Sequence, residues 1–308
     1  MNQFVIFFIC CCSVFFVNSQ EQYMVNASSG LIIREQPNAD ANRIGKLPYG
    51  SIVNILENTN LKLQITDKGE VIDGEWVKVK FQNFPYIITK TKAFKDEGFV
   101  FSGYLEKLEK AKIETIEIDS LRFYKLYKAS KRLKQEKLTS IAKVEKVLAS
   151  TVKWQFHNVA DNTMDHIILD NDQVLQINQD ANDVTFSAYY PKERILLFEG
   201  GHSSDFSISL KAGESLETVG NPEYIIVSPH KKYRLNGYFG GQECSSYFFQ
   251  EITGDTYKYL ASFNNVSCYI YKFYWLNDQE FVYCDASFAT PEKGEQNYYL
   301  GKILIQTN

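Results

Sequence analysis

The chain has 308 residues, 44% hydrophobic and 23% charged, an ordinary globular composition with room for two domains at roughly 100–200 residues each. A formal charge of −4 at pH 7 argues against nucleic acid as the main partner. Aromatic residues reach 15%, which favours strands.

The chain opens with an apolar run, Phe4 to Val17, interrupted only by Ser13. It falls short of the ~20 residues of a membrane-spanning helix and fits the apolar core of a signal peptide. Val17 and Ser19 are small enough for the −3 and −1 sites. Residues 1–19 are therefore expected to be a signal peptide, with the mature chain exported, periplasmic or extracellular, and without a membrane span. Lipid attachment ranks second, because Ile9, Cys10 and Cys11 precede the candidate acceptor cysteines. Cleavage removes Cys10, Cys11 and Cys12 and leaves Cys244, Cys268 and Cys284.

Residues 20–118 contain short alternating runs, LIIRE, SIVNILEN, LKLQIT, EWVKVKF, YIITK and GFVF, punctuated by Gly, Asn, Asp and Pro. That pattern predicts a small antiparallel barrel. Residues 119–150 carry nine basic against three acidic residues and lack Gly and Pro. Leu138, Ile141, Val144 and Leu148 fall at helical spacing, which predicts a basic, mostly helical connector. Residues 151–308 return to alternating runs and carry the acidic excess, so a β-rich C-terminal domain is expected.

The stretch GLIIREQPNADANRIGKLPYGSIVNIL resembles the bacterial SH3-like (SH3b) domain, which opens on G-L-x-V-R-x-x-P and continues I-G-x-L-x-x-G-x-x-V. The matching residues are Gly30, Leu31, Ile33, Arg34 and Pro37, then Ile44, Gly45, Leu47, Gly50 and Val53. The family's W-x-K-V strand is Trp76 to Val79, and its closing G-W-V-x-x-x-Y-L is Gly98 to Leu105. The resemblance covers residues 23–108 and implies an SH3b-type small barrel that holds a cell-envelope ligand. The ligand groove it implies uses Tyr49, Trp76, Phe99 and Tyr104. Arg34 is a further candidate contact, although a structural staple to loop carbonyls is the better reading of it. The chain departs from the family where Phe99 replaces a Trp and where Gln82 to Glu97 lengthens the connection between the last strands.

In the C-terminal domain, Ser228 to Tyr233 (SPHKKY) and Trp275 to Phe281 (WLNDQEF) weakly resemble turns of β-propeller blades. The fold class read for the whole chain is mainly β: an SH3b-type barrel, the connector, and a C-terminal antiparallel meander. That meander is expected to be blade-like, an open or minimal propeller, with a β-sandwich as the alternative. The tetrapeptide TGDT at 253–256 predicts a hairpin with Ile252 opposite Tyr257 and Gln250 opposite Tyr259. Extending that register brings Cys244 near Cys268 and predicts a disulfide between them. A second hairpin, closed at Leu276–Gln279, is expected to set Trp275 opposite Glu280 and Tyr271 opposite Cys284, leaving Cys284 free.

No catalytic set stands out. Cys244 follows a faint cysteine-peptidase-like string, but all four His precede it and SSYFFQEI alternates as a strand. His157, Asp161, Asp165 and His166 form the one dense group of metal-ligand residue types, and a polar loop explains it equally well. No metal and no cofactor are expected. GHSSD at 201–205 lacks a strand–Ser–helix elbow. The reading is an exported, non-catalytic binding protein for a cell-envelope polymer or an exported protein, its C-terminal domain a second interaction surface. The alternative is a secreted hydrolase with its site in the C-terminal domain.

Overall fold

The computed structural model describes residues 22–306 except 28–29, 48–50, 68, 82–95, 129–133, 161, 171–173, 178–183, 211–215, 242–243 and 288–295. The expected signal peptide, Tyr49, Gly50 and nearly all of the Gln82–Glu97 insertion lie outside the described residues. Eight strands come first: β1 Gln22–Val25, β2 Leu31–Arg34, β3 Arg43–Leu47, β4 Ile52–Asp67, β5 Glu70–Phe81, β6 Glu97–Phe101, β7 Leu105–Lys107 and β8 Ala111–Glu117. Helices α1, Ser120–Leu126, and α2, Ile141–Val147, follow. Then come β9 Val152–Asn158, β10 Thr163–Leu169, β11 Val174–Gln176, β12 Thr185–Tyr190, β13 Ile195–Glu199 and β14 Asp205–Ser209. The last strands are β15 Ile226–Val227, β16 Tyr233–Phe239, β17 Ser245–Thr253, β18 Thr256–Ser262, β19 Tyr269–Trp275, β20 Glu280–Ala286 and β21 Gln296–Ile305.

β1 to β7 make one antiparallel sheet in the order β3-β2-β6-β5-β4-β1-β7. The path is open: its end strands, β3 and β7, do not pair. The sheet curls nonetheless, because alternate residues of six strands bury side chains in one core. Val25, Leu31, Ile33, Leu47, Val53, Val77, Val79 and Val100 all belong to it. Gly98 must lack a side chain, since a Cβ there would lie 2.3 Å from Ile33 Cγ2. The expected barrel is thus a sheet wrapped around a core without hydrogen-bonded closure.

The connector contains two seven-residue helices rather than one long one. Asp119 caps α1 by accepting from Arg122 N at 2.8 Å. Leu138, expected on the second helix, instead lies extended and exchanges backbone hydrogen bonds with Tyr189. Phe123 of α1 and Val144 of α2 are fully buried, against the fourth and second sheets respectively.

The second sheet runs β11-β10-β12-β13-β14 with β9 on β10, the third β15-β16-β17-β18, and the fourth β19-β20-β21-β8. All their pairings are antiparallel, as the meander pattern predicted. The third and fourth share a core centred on Phe249, Phe273, Trp275, Phe281 and Tyr283. β8 departs from the sequence reading. It lies within 20–118, yet it pairs along β21, Ile113 opposite Ile303, and Ala111 joins the C-terminal core. The boundary between the first and fourth sheets therefore falls ahead of residue 111.

The TGDT hairpin has the predicted register: Ile252 opposite Tyr257, Gln250 opposite Tyr259, with Gly254 at φ 61° in the two-residue turn. The Cys244–Cys268 disulfide is formed, with Cα atoms 4.6 Å apart, and Cys284 is a buried free thiol. The second hairpin is shifted by one residue from expectation. Trp275 faces Phe281 and Lys272 faces Cys284. The cause is local: Asn277 Oδ1 accepts from the backbone N–H of both Gln279 and Glu280, which lengthens the turn, and a bulge follows between Ile270 and Lys272.

Candidate functional site

The candidate ligand face is the outer surface of β2, β6 and β5. Inward residues alternate with outward ones, so the core positions Ile33, Val77, Val79 and Val100 place Arg34, Trp76, Lys78, Phe99 and Phe101 on the opposite face. Cross-strand register brings these together: Arg34 opposite Phe99, Phe99 opposite Lys78, and Phe101 opposite Trp76. Three aromatic side chains thus share this side of the sheet with two cations, but Trp76 and Phe101 are buried and, of the three, only Phe99 is partly exposed.

Of the expected site residues, all but Tyr49 have a definite position. Arg34 Nη1 donates to Ala41 O at 2.6 Å, and Glu35 N donates to Asn42 O, so the guanidinium fastens the loop that carries Pro37. This is why a cation ends the apolar run of β2: its head group satisfies a carbonyl that no strand reaches. Trp76 is only 7% exposed. Phe99 is half-buried and offers part of its ring to solvent. Tyr104 stands edge-on to Phe101, ring centroids 6.0 Å apart, and its hydroxyl donates to Asp67 at 2.8 Å. Burial, followed by the neighbouring Asp67 carboxylate, pushes the Tyr104 phenol above its ordinary range. Tyr49 lies outside the described residues.

Sequence reasoning passed over Phe101, Lys78 and Asp67. Phe101 was signalled by its spacing, two residues beyond Phe99 on the same strand. Lys78 pairs with Glu97 at 2.6 Å, and that hydrogen bond holds its ammonium above the usual lysine range. Asp67 had no local signal. It reaches Tyr104 because β4 and β5 form a long hairpin whose distal part returns toward Gly103, where Glu75 N donates to Ser102 Oγ at 2.9 Å.

The C-terminal candidates for chemistry are placed otherwise. Cys244 is oxidised in a disulfide and offers no thiolate. Asp165 and His166 pair at 2.6 Å, and Asp161 lies outside the described residues. Among the described residues no three His, Cys, Asp or Glu side chains gather as a metal set. Asp205 of the GHSSD stretch accepts from Asn221 Nδ2 at 3.0 Å and Phe239 N at 2.8 Å. Burial raises its carboxyl above the ordinary range, although these two donors oppose the shift. Glu223 takes Lys137 at 2.8 Å and the Tyr190 hydroxyl at 3.1 Å.

Residues 29–106 match the family model described as Bacterial SH3 domain. No curated protein matches the chain. Among the described residues no helix is long and apolar enough to cross a membrane.

Proposed function

We propose that the chain is an exported, non-catalytic binding protein whose bacterial SH3 domain holds a cell-wall polymer or a protein segment of the cell envelope. The observation that carries this is the family match over 29–106, a domain type that binds cell-wall polymers or proteins. The candidate ligand face supports it. Phe99 supplies a partly open ring, Arg34 and Lys78 flank it, and the Tyr104–Asp67 and Lys78–Glu97 bonds fix its edges. Rigid aromatic faces give contact area at low entropic cost. The leader-like residues 1–19 support export, and the C-terminal sheets supply a second surface rather than a reaction centre.

The test is co-sedimentation of the chain from residue 20 onward with purified sacculi and with envelope protein extract. Binding to one of them is expected, weakened about two- to tenfold by Phe99→Ala while the fold persists. Absence of binding to both, or binding indifferent to Phe99→Ala and to Tyr104→Phe, would refute the assignment of this face. Intact mass of the secreted chain checks the leader: loss of residues 1–19 is expected, and retention of Met1 contradicts export by cleavage.

A further inference from the structure

The bacterial SH3 domain does not hang free of the C-terminal sheets. Met24 and Leu108 pack with Phe248 and Tyr259 in one apolar seam, with Ile52 and Tyr238 against it. Beside that seam lies a cleft of about 330 Å³. This is near the lower end of the roughly 300–1,000 Å³ typical of small-molecule sites. One wall comes from Gln22, Ile52 and Leu108, the other from β16, β17, β18 and the loop that follows them.

The chemistry of the lining is selective. None of its thirteen residues carries a charge at neutral pH. An ionic ligand entering it would lose hydration without a counter-charge among the lining residues. The ring positions are set in advance: Phe248 and Tyr259 stack with centroids 5.6 Å apart. The Tyr259 hydroxyl shares a hydrogen bond of 2.6 Å with Ser262 Oγ, and the Tyr247 hydroxyl accepts from Ile270 N at 3.0 Å. Tyr238 is only half-buried. By contrast, the side chains of Gln22, Ser246 and Asn264 make no hydrogen bond among the described residues, and Ser246 and Asn264 are exposed. An extended peptide would need a free strand edge here. That edge is occupied: Lys110 N donates to Leu260 O at 2.8 Å, and Ser262 N to Glu109 Oε1 at 3.4 Å.

A fixed aromatic wall with uncharged hydroxyl and amide groups at its rim, and no strand edge, suits a polyhydroxylated ring. We propose that this cleft is a second binding site that takes a neutral saccharide, one ring face lying on Tyr238 and its hydroxyls bonding Gln22, Ser246 and Asn264. The inference does not depend on which ligand the outer face of β2, β6 and β5 holds. The Cys244–Cys268 bridge belongs to the same site: Ser245 and Ser246 follow one cysteine and Val266 lies two residues before the other. The disulfide ties the two segments of the C-terminal wall together.

Isothermal titration of the chain from residue 20 onward with tetra-N-acetylchitotetraose and maltotetraose, and with the charged chitosan tetramer and tetragalacturonate, tests it. Binding of at least one neutral tetrasaccharide is expected, with neither charged one bound. Asn264→Ala, Ser246→Ala and Tyr238→Ala should each weaken it about five- to tenfold. Asn264 and Ser246 are exposed, so those variants keep the test open if Tyr238→Ala fails to fold. Phe99→Ala should leave saccharide binding unchanged whatever it does to sacculus binding, which separates this site from the first. No neutral saccharide bound at millimolar concentration, binding unchanged in Asn264→Ala and Ser246→Ala, preference for a charged tetramer, or capture of an uncharged peptide in place of sugar would each overturn the proposal.

Discussion

Arg234 and Glu193 form an ion pair of 2.7 Å with side chains only 2% and 3% exposed. Burial pulls the guanidinium down and Glu193 pulls it back up, and neighbours complete its shell. Gln250 Oε1 accepts from Nε at 2.7 Å, and the Tyr257 ring lies 3.2 Å from Cζ. Gln250 in turn donates to Thr218 O, and Asn236 to Val219 O. The network joins the turn after β12 to the third sheet. Removing one charge strands the other, so Glu193→Ala is expected to cost about 3–5 kcal/mol in urea unfolding. The double variant Glu193→Leu with Arg234→Met should recover much of that loss, because no buried charge remains. Asp205 supplies a pH signature. Its carboxyl is raised chiefly by burial, so in acid the folded state binds more protons there than the unfolded chain. Its contribution to stability therefore declines as pH rises from the ordinary carboxylate range through its raised value. In Asp205→Asn that slope should vanish, measured as urea midpoints from pH 4 to 7. A wild-type curve parallel to the variant's would contradict it.

The Cys244–Cys268 bridge joins the start of β17 to the start of β19 across a sequence separation of 24. A loop of that length is worth ~3 kcal/mol in the chain-entropy picture. Cys244→Ser with Cys268→Ser should lower stability by about that amount, read from urea unfolding. The pairing was legible because the TGDT hairpin carries its register in a two-residue turn. Spacing alone puts the next hairpin one residue out of register, because its turn is set by the Asn277 side chain, which spacing does not count. The slip did not affect Cys284. Alternation along β20 still sends Phe281 and Tyr283 to one core and Val282 and Cys284 to the other, under α1. Burial raises the Cys284 thiol to about 11, consistent with a packing role. The β2 and β5 motifs were legible for a related reason: the Gly, Pro and alternating apolar positions of a curled sheet are local. The Tyr104–Asp67 bond and the cleft beside Leu108 were not, since both depend on segments that meet only after folding.

At the scale of the molecule, the chain does not divide where composition shifts. The charge change near residue 119 marks the connector, yet β8 already belongs to the fourth sheet, and Gln306 N donates to Lys110 O beside it. Residues 151–308 alone therefore leave β21 as a bare edge and open the core at Ala111 and Ile113. A fragment of residues 151–308 is expected to unfold at lower temperature than one of residues 111–308, with faster amide exchange along Tyr299 to Ile305. Equal melting temperatures would show β8 to be dispensable. The same pairing imposes an order in time. A growing polypeptide releases Ala111–Glu117 early and Gln296–Ile305 near the end of the described chain. In the interval the strand has nowhere to dock, and a long loop must close before its hydrogen bonds form. The fourth sheet thus behaves as a latch that shuts only once Gln296–Ile305 is present, so a chain terminated ahead of that strand would display Ala111–Glu117 unpaired for quality-control proteases to find.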